Sequence, residues 1–80
     1  MTDPTENRTV LVVDDDPDLA DMFALWLNRA GYEVRTAYGG EAALDRLDPA
    51  VDIVLLDRRM PHRFEYLVAR AARQDRKSVV

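Results

Sequence analysis

Two short apolar runs in this chain each end in aspartate. Residues 9–13 lead into Asp14, and residues 53–56 lead into Asp57. Aliphatic, β-branched runs of four or five residues predict strands that are buried on both faces, as in a parallel sheet. In such a sheet, ligands bind beyond the carboxyl ends of the strands. The two aspartates therefore lie where a ligand-binding site is expected.

The segment after the first run predicts an amphipathic helix. Asp16 is placed to be its N-cap, Pro17 to be its first residue, and Gly31 to end it. The apolar residues recur at spacings of three and four and form one face, which would put Trp26 in the core. They are Leu19, Met22, Phe23, Trp26, Leu27 and Ala30.

The remaining pattern predicts a short strand over 33–37, a helix over 41–47, and a third helix after Pro61. Ser78 to Val80 is the opening of a further strand. The order is therefore β-α-β-α-β-α followed by a strand fragment. This alternation predicts an α/β domain with a parallel sheet and right-handed crossovers.

Composition narrows the class of protein. Eighty residues allow one small domain, preceded by a flexible polar leader over 1–8. The absence of cysteine excludes disulfides and thiolate metal sites, and no apolar stretch reaches the length of a membrane span. We therefore expect a cytoplasmic protein without a membrane anchor. Residues 1–60 have a net charge of −7, whereas 61–80 have a net charge of +3.

The aspartates suggest a cation site. Two carboxylates about 4 Å apart repel by roughly 4 kcal/mol at an effective dielectric near 20, so a fold that gathers them needs a neutralising ion. Asp14, Asp15 and Asp57 are the candidates. The alternative for Asp14 to Asp16 is a helix-capping cluster on an acidic surface, and Asp16 alone is best interpreted as the cap. A calcium-loop interpretation fails because Leu19 stands where that loop needs glycine.

At this point a family resemblance is evident. The chain resembles a response-regulator receiver domain, and especially the receivers of halophilic archaea that precede a HalX-type helical domain. The match is close over 9–61, and 62–80 is a divergent basic helix and strand fragment. The motifs that carry it are VLVVDDDP at 10–17, AGYEV at 30–34, GEAAL at 40–44 and LLDRRMP at 55–61.

The resemblance implies a role for each matching position. Asp57 matches the phosphoacceptor, which takes a phosphoryl group from the phosphohistidine of a sensor histidine kinase. Asp14 and Asp15 match the acidic pair that holds Mg²⁺ with Asp57, and the backbone carbonyl of Arg59 matches a further ligand. The implied fold is a flavodoxin-like doubly wound parallel sheet, here reduced to about three strands in the order 2-1-3 with three helices. No enzyme activity of its own and no direct binding of nucleic acid or membrane are expected.

The chain also departs from the family. The resemblance implies that a complete receiver has five strands and about 120 residues. Its fourth strand ends in a Ser/Thr and its fifth in a Lys. Ser78 and Lys77 match neither, and the loop that usually follows Met-Pro is missing before His62, which we expect to be exposed. Residues 62–80 are either an ordinary third helix or out-of-frame sequence. In a three-stranded sheet the strand 53–56 would be an exposed edge, which favours self-association.

Two functions follow from the resemblance and its gaps. The first is a receiver of a two-component phosphorelay, with Mg²⁺ as the cofactor. The alternative is a truncated, non-phosphorylated interaction module that docks a histidine kinase through its first helix. A small hydrolase with an Asp-x-Asp-x-Thr loop is disfavoured, because Asp18 takes the place of the threonine.

Overall fold

The computed structural model describes residues 8–56, 62–74 and 77–80, with only the backbone described for 62–67 and 78. Strands and helices alternate along the chain. They are β1 (Thr9–Val13), α1 (Pro17–Arg29), β2 (Glu33–Ala37), α2 (Gly40–Arg46), β3 (Ile53–Leu56), α3 (His62–Gln74) and β4 (Ser78–Val79). The predicted α/β alternation is confirmed.

The strands form one parallel sheet in the order β2-β1-β3-β4. All five residues of β1 are buried, as its continuous β-branched run predicts for a central strand. Val13, the last residue of β1, pairs with Ala37 on one side and with Leu56 on the other. The carboxyl ends of these three strands therefore lie at one level, and the predicted order 2-1-3 is confirmed.

The core consists of two layers, one on each face of the sheet. On one face, α2 and α3 cover the residues of β1 and β3 whose side chains alternate to that side. The buried members of this layer are Leu11, Val13, Ala37, Ala43, Val51, Val54, Val68 and Ala72. Val68 and Ala72 belong to α3, so this helix of the basic segment 62–80 packs in the same core as the rest of the chain. The interpretation of the segment as an ordinary third helix requires such packing.

The other face is covered by α1 alone within the described residues. Its buried residues are Val10, Val12 and Ala20, and Phe23 and Leu27 pack partly buried against them. The helix begins and ends as predicted, because Asp16 caps it and Gly31 takes a positive φ of 102° just beyond it. None of the helices in the described part of the chain could span a lipid bilayer.

The prediction that Trp26 lies in the core is wrong. Its side chain is 53% exposed, and it contacts the edge of the Phe23 ring at a centroid distance of 5.7 Å. The apolar spacing identified the helix correctly. A single helix, however, cannot bury an apolar stripe that is wider than its contact with the sheet. Trp26 falls on the part of the stripe that no other helix covers in the described part of the chain.

The prediction that β3 is an exposed edge is also wrong, because β4 pairs with it. Ile53 pairs with Ser78, the Leu56 amide donates to the Val80 carbonyl at 2.9 Å, and the Val80 amide donates to the Val54 carbonyl at 2.9 Å. The fragment is short but β-branched, and Val79 packs against the buried core. Among the described strands the edge beside β3 is thus the two-residue β4, a length that offers little to a second chain.

Candidate site at the carboxyl edge of the sheet

The predicted site residues follow β1 and β3, which are parallel neighbours. The Cα partners Val13 and Leu56 are the last residues of the two strands. Asp14 is next in the chain after the first, and Asp57 is next after the second. Asp57 and Arg59 lie outside the described residues, so the structure describes the half of the predicted site that Asp14 and Asp15 supply.

Asp14 is held firmly at this edge. Its backbone amide donates to the Ala37 carbonyl at 3.1 Å, which extends the pairing of β1 with β2 by one residue. Its side chain is 5% exposed, and Oδ1 accepts the Asp16 amide at 2.9 Å. Burying a carboxylate costs free energy unless hydrogen bonds or cations surround it. The fold therefore places the Asp14 side chain at this edge in a defined position.

The three consecutive aspartates occupy three different environments. Asp14 is buried, whereas Asp15 and Asp16 are exposed. Asp16 has extended backbone (φ −93°, ψ 107°), and its Oδ1 accepts the amides of Asp18 at 3.0 Å and Leu19 at 3.4 Å. Asp16 is therefore the predicted N-cap, and its carboxylate is engaged by the helix start. Asp14 and Asp15 remain as the candidate cation ligands.

The donor set fits a hard divalent cation. Carboxylate oxygens, one buried and one open to water, suit Mg²⁺, which takes few protein ligands and keeps several waters. Within the described ranges there is no group of three His, Cys, Asp or Glu side chains arranged to hold a metal ion. A complete site would thus need Asp57 and the Arg59 carbonyl, which lie outside the described ranges.

Sequence reasoning missed a second polar cluster, which lies at the amino ends of the strands. Lys77 is 9% exposed, and its Nζ donates to the carbonyls of Asp48 at 2.8 Å and of Val51. Arg35 pairs with the Asp48 carboxylate at 2.5 Å. This hydrogen bond and the one from the Ala50 amide lower the pKa of Asp48 from its ordinary value.

The cluster explains what Lys77 does and what it cannot do. Asp48 and Val51 precede β3, and Lys77 precedes β4, so the ammonium lies at the amino ends of these strands. Lys77, the one lysine of the chain, therefore does not reach the carboxyl edge where Asp14 lies. The prediction that Lys77 is not the family's phosphate-pairing lysine is consistent with this geometry. No local pattern signals this structural role, because both carbonyls that Lys77 contacts lie more than 25 residues earlier in the chain.

The fold and the acidic edge together define a doubly wound parallel α/β domain with carboxylates beyond its central strand. Residues 10–79 match the family of the response regulator receiver domain. The chain belongs to this family, and so it is a response regulator receiver domain of the kind found in two-component systems. The resemblance inferred from the motifs is confirmed.

Three similar proteins illustrate the relationship. A Haloferax volcanii protein named as a transcriptional regulator is 64% identical over 55 residues, which cover 69% of this chain and 10% of that protein. The Thermotoga maritima response regulator TrrA, crystallised in complex with Mg²⁺-BeF, has a TM-score of 0.73 and 35% identity over 90% of this chain and 64% of its own. The crystal structure of the P1 domain of CheA3 in complex with CheY6 from R. sphaeroides also matches, with a TM-score of 0.68 and 26% identity over 92% of this chain and 81% of that one.

The chain is short relative to these proteins. It spans between 10% and 31% of the curated relatives named as regulators. It spans 64% of the chain in each of two solved response regulator structures.

Proposed function

We propose that this chain is a phosphoacceptor of a two-component phosphorelay, with Asp57 as the residue that is phosphorylated. The observation that supports the proposal most strongly is the parallel pairing of β1 with β3, in register to their last residues, with a buried Asp14 directly beyond β1. Asp57 is the next residue of the chain after β3. The proposed donor is the phosphohistidine of a sensor histidine kinase.

The proposed phosphoryl transfer forms one bond and breaks one bond. A carboxylate oxygen of Asp57 attacks the phosphorus, the phosphorus–nitrogen bond of the phosphohistidine breaks, and the imidazole leaves with the electron pair. The product is an acyl phosphate on Asp57. Such an in-line transfer needs mainly positioning and charge stabilisation, which a rigid sheet edge provides.

Asp14, Asp15 and Asp57, with the Arg59 carbonyl, are the proposed ligands of Mg²⁺. When bound, the ion neutralises the carboxylates and the incoming phosphoryl oxygens. Asp14 suits this role because two backbone hydrogen bonds, one through its amide and one through its carboxylate, set its orientation beforehand. The Mg²⁺-BeF complex of TrrA supports the choice of metal by analogy with that protein.

A second candidate is a docking module that is not phosphorylated. It is favoured by the outer side of α1, where Met22 and Leu25 are 36% and 51% exposed. The complex of CheA3 P1 with CheY6 supports a histidine kinase as the partner in either case. The position of Lys77 at the far edge also favours this candidate, because that lysine is not available to pair with a phosphoryl group.

One experiment separates the two candidates. The protein is incubated with acetyl phosphate and Mg²⁺ and its intact mass is measured. Phosphorylation adds ~80 Da, and the added group should be released by hydroxylamine as an acyl phosphate is. Asp57→Asn should abolish the gain and Asp14→Asn should reduce it, whereas Asp45→Asn, on the exposed side of α2, should leave it unchanged.

The contrary result is equally clear. If the wild-type protein gains no mass under these conditions, it is not a phosphoacceptor. Calorimetric binding to the phosphotransfer domain of a histidine kinase, unaffected by Asp57→Asn and lost in Leu25→Glu, would then establish the docking module.

A further inference from the structure

The sheet has one long edge that no described strand covers. β2 is the outermost strand on its side of the order β2-β1-β3-β4, and with five residues it is the longer of the two edge strands. The Glu33 amide and the Ala37 carbonyl form hydrogen bonds on the β1 side, at 3.0 and 3.1 Å. Because the hydrogen-bonding direction alternates along a strand, the amides and carbonyls of Val34 and Thr36 point away from β1. This outer edge is a template for a further strand.

Helix α1 leaves this edge accessible. Val34 and Thr36 are half-buried, and they form the floor of a groove of about 480 Å³ between β2 and α1. Leu25, on the helix side of the groove, is 51% exposed. A strand that paired with β2 would therefore extend the sheet beside α1 and would cover part of this groove.

The other face of β2 carries one acid and one base. Val34 packs in the core layer of α1, so Glu33 and Arg35 project toward the opposite face of the sheet. Glu33 is exposed and Arg35 is half-buried. One nitrogen of Arg35 binds the Asp48 carboxylate, and a guanidinium has further N–H donors. An edge strand with opposite charges two residues apart can be complementary to a second copy of itself.

We propose that two copies of this chain associate by antiparallel pairing of their β2 strands, with Val34 on the two-fold axis. The axis is perpendicular to the sheet, and the two Val34 residues exchange their amide–carbonyl hydrogen bonds. The Thr36 amide of each copy donates to the Tyr32 carbonyl of the other. That carbonyl points outward because it lies opposite the Glu33 amide in a planar peptide. The inference goes beyond the proposed function and does not depend on phosphorylation of Asp57.

The charges select this register. With Val34 on the axis, Glu33 of each copy lies directly opposite Arg35 of the other, in a non-hydrogen-bonded pair whose side chains are close. With Glu33 or Arg35 on the axis, two like charges would lie opposite each other, which is destabilising. On the α1 side, the β-branched Val34 packs against its own copy. Charge complementarity thus identifies a second copy as the occupant of the edge.

The pairing leaves the acidic edge open in both copies. Asp14 follows β1, which is the inner neighbour of β2. Since the two β2 strands are antiparallel, the carboxyl ends of the two sheets lie at opposite ends of the joined sheet. Each Asp14 is therefore remote from the other, and neither lies in the paired edge.

The test is the oligomeric state of the whole chain, measured with charge reversals. Sedimentation velocity over a concentration series should show a reversible monomer–dimer equilibrium. Glu33→Arg places two bases opposite each other and Arg35→Glu places two acids, so each variant should associate about tenfold more weakly. An equimolar mixture of the two variants should restore association, because every acid then lies opposite a base. Asp45→Arg and Arg46→Glu, at exposed positions of α2, are the matched controls and should leave the dimer unchanged.

Hydrogen exchange locates the contact independently of charge. The amides of Val34 and Thr36 should exchange more slowly as the protein concentration rises, whereas the Arg35 amide, which points toward β1, should not respond. Thr36→Pro removes an outward amide that the single copy does not use in its ladder, and proline is tolerated at such edge positions. This variant should remain folded by circular dichroism and should associate more weakly.

Two results would overturn the proposal. One is a strict monomer at the highest concentration reached, with concentration-independent exchange at Val34 and Thr36. The other is a dimer that the charge reversals do not weaken or that their mixture does not restore, which would place the contact elsewhere. If Arg35→Glu fails to fold because Asp48 loses its partner, Thr36→Pro decides, and a dimer that this variant leaves intact refutes the pairing.

Discussion

Replacing Lys77 by Met should destabilise the fold by about 2–3 kcal/mol. The Lys77 ammonium donates to the carbonyls of Asp48 and Val51, and methionine keeps most of the buried stem while removing both donors. Val51 is 1% exposed, and a buried acceptor left without a donor costs about 1–3 kcal/mol. Asp48 is only half-buried, so water can replace its lost hydrogen bond and the second loss is smaller.

This loss is large for such a chain, because 80 residues at about 0.05–0.15 kcal/mol each give a total stability of about 4–12 kcal/mol. Urea denaturation followed by far-ultraviolet circular dichroism measures it. Hydrogen exchange should quicken at the amides of Leu56 and Val80, which bond across β3 and β4. Arg73→Met on the exposed side of α3 is the matched control. A Lys77→Met protein as stable as the wild type, with unchanged exchange at Leu56, would refute the assigned role.

Three further predictions concern other elements. Asp16→Ala should lower the free energy of unfolding by about 1 kcal/mol, measured by urea denaturation, because two amides at the start of α1 lose their acceptor; an effect no larger than that of Asp45→Ala would contradict the cap. Gly31→Ala should cost about 1–2 kcal/mol, since the residue has φ 102°, and an unchanged thermal midpoint would count against this strain. Arg35 is the main cause of the lowered pKa of Asp48, so Arg35→Gln should lose stability that is present above the ordinary value of 3.8 and disappears as the pH falls through the folded-state value. Urea midpoints at neutral pH and at about pH 2.5 check this, and a difference that persists at the lower pH would disprove it.

The elements that sequence alone predicts well are those in which local pattern and tertiary context agree. The continuous apolar run of β1 predicted a strand buried on both faces, and all five of its residues are buried. The cap at Asp16 and the stop at Gly31 depend only on local backbone chemistry, and both are found. Such features need no knowledge of what packs against them.

The two errors in the fold share a physical cause. Whether Trp26 is buried depends on what covers the helix face beyond its own contact with the sheet, and periodicity contains no information about that neighbour. Whether β3 is an edge depends on a two-residue strand held partly by Lys77, which donates to carbonyls more than 25 residues away. A contact at that separation leaves no local signature in the chain.

At the acidic edge, the sequence predicted the role of Asp16 but not the difference in solvent exposure between Asp14 and Asp15. The cap at Asp16 was predictable from Pro17 beside it, but the contrast between a buried Asp14 and an exposed Asp15 follows from strand alternation and from the bond between the Asp14 amide and Ala37. These two carboxylates differ in solvation although they are adjacent. With Asp14 and Asp15 as the proposed Mg²⁺ ligands, Asp14→Asn should therefore perturb both folding and metal affinity, whereas Asp15→Asn should perturb mainly metal affinity.

The placement of the two polar clusters at opposite ends of the strands separates stability from chemistry. Lys77 fixes the amino end of β3 through the loop before it, and Asp14 lies level with the carboxyl end. Because the two clusters share no described contact, their substitutions should be additive. Lys77→Met combined with Asp14→Asn should change the free energy of unfolding by the sum of the single effects, within about 0.5 kcal/mol. A larger deviation from additivity would mean that β3 transmits strain between its two ends. The conformation of the acidic edge would then depend on the hydrogen bonds that hold β4.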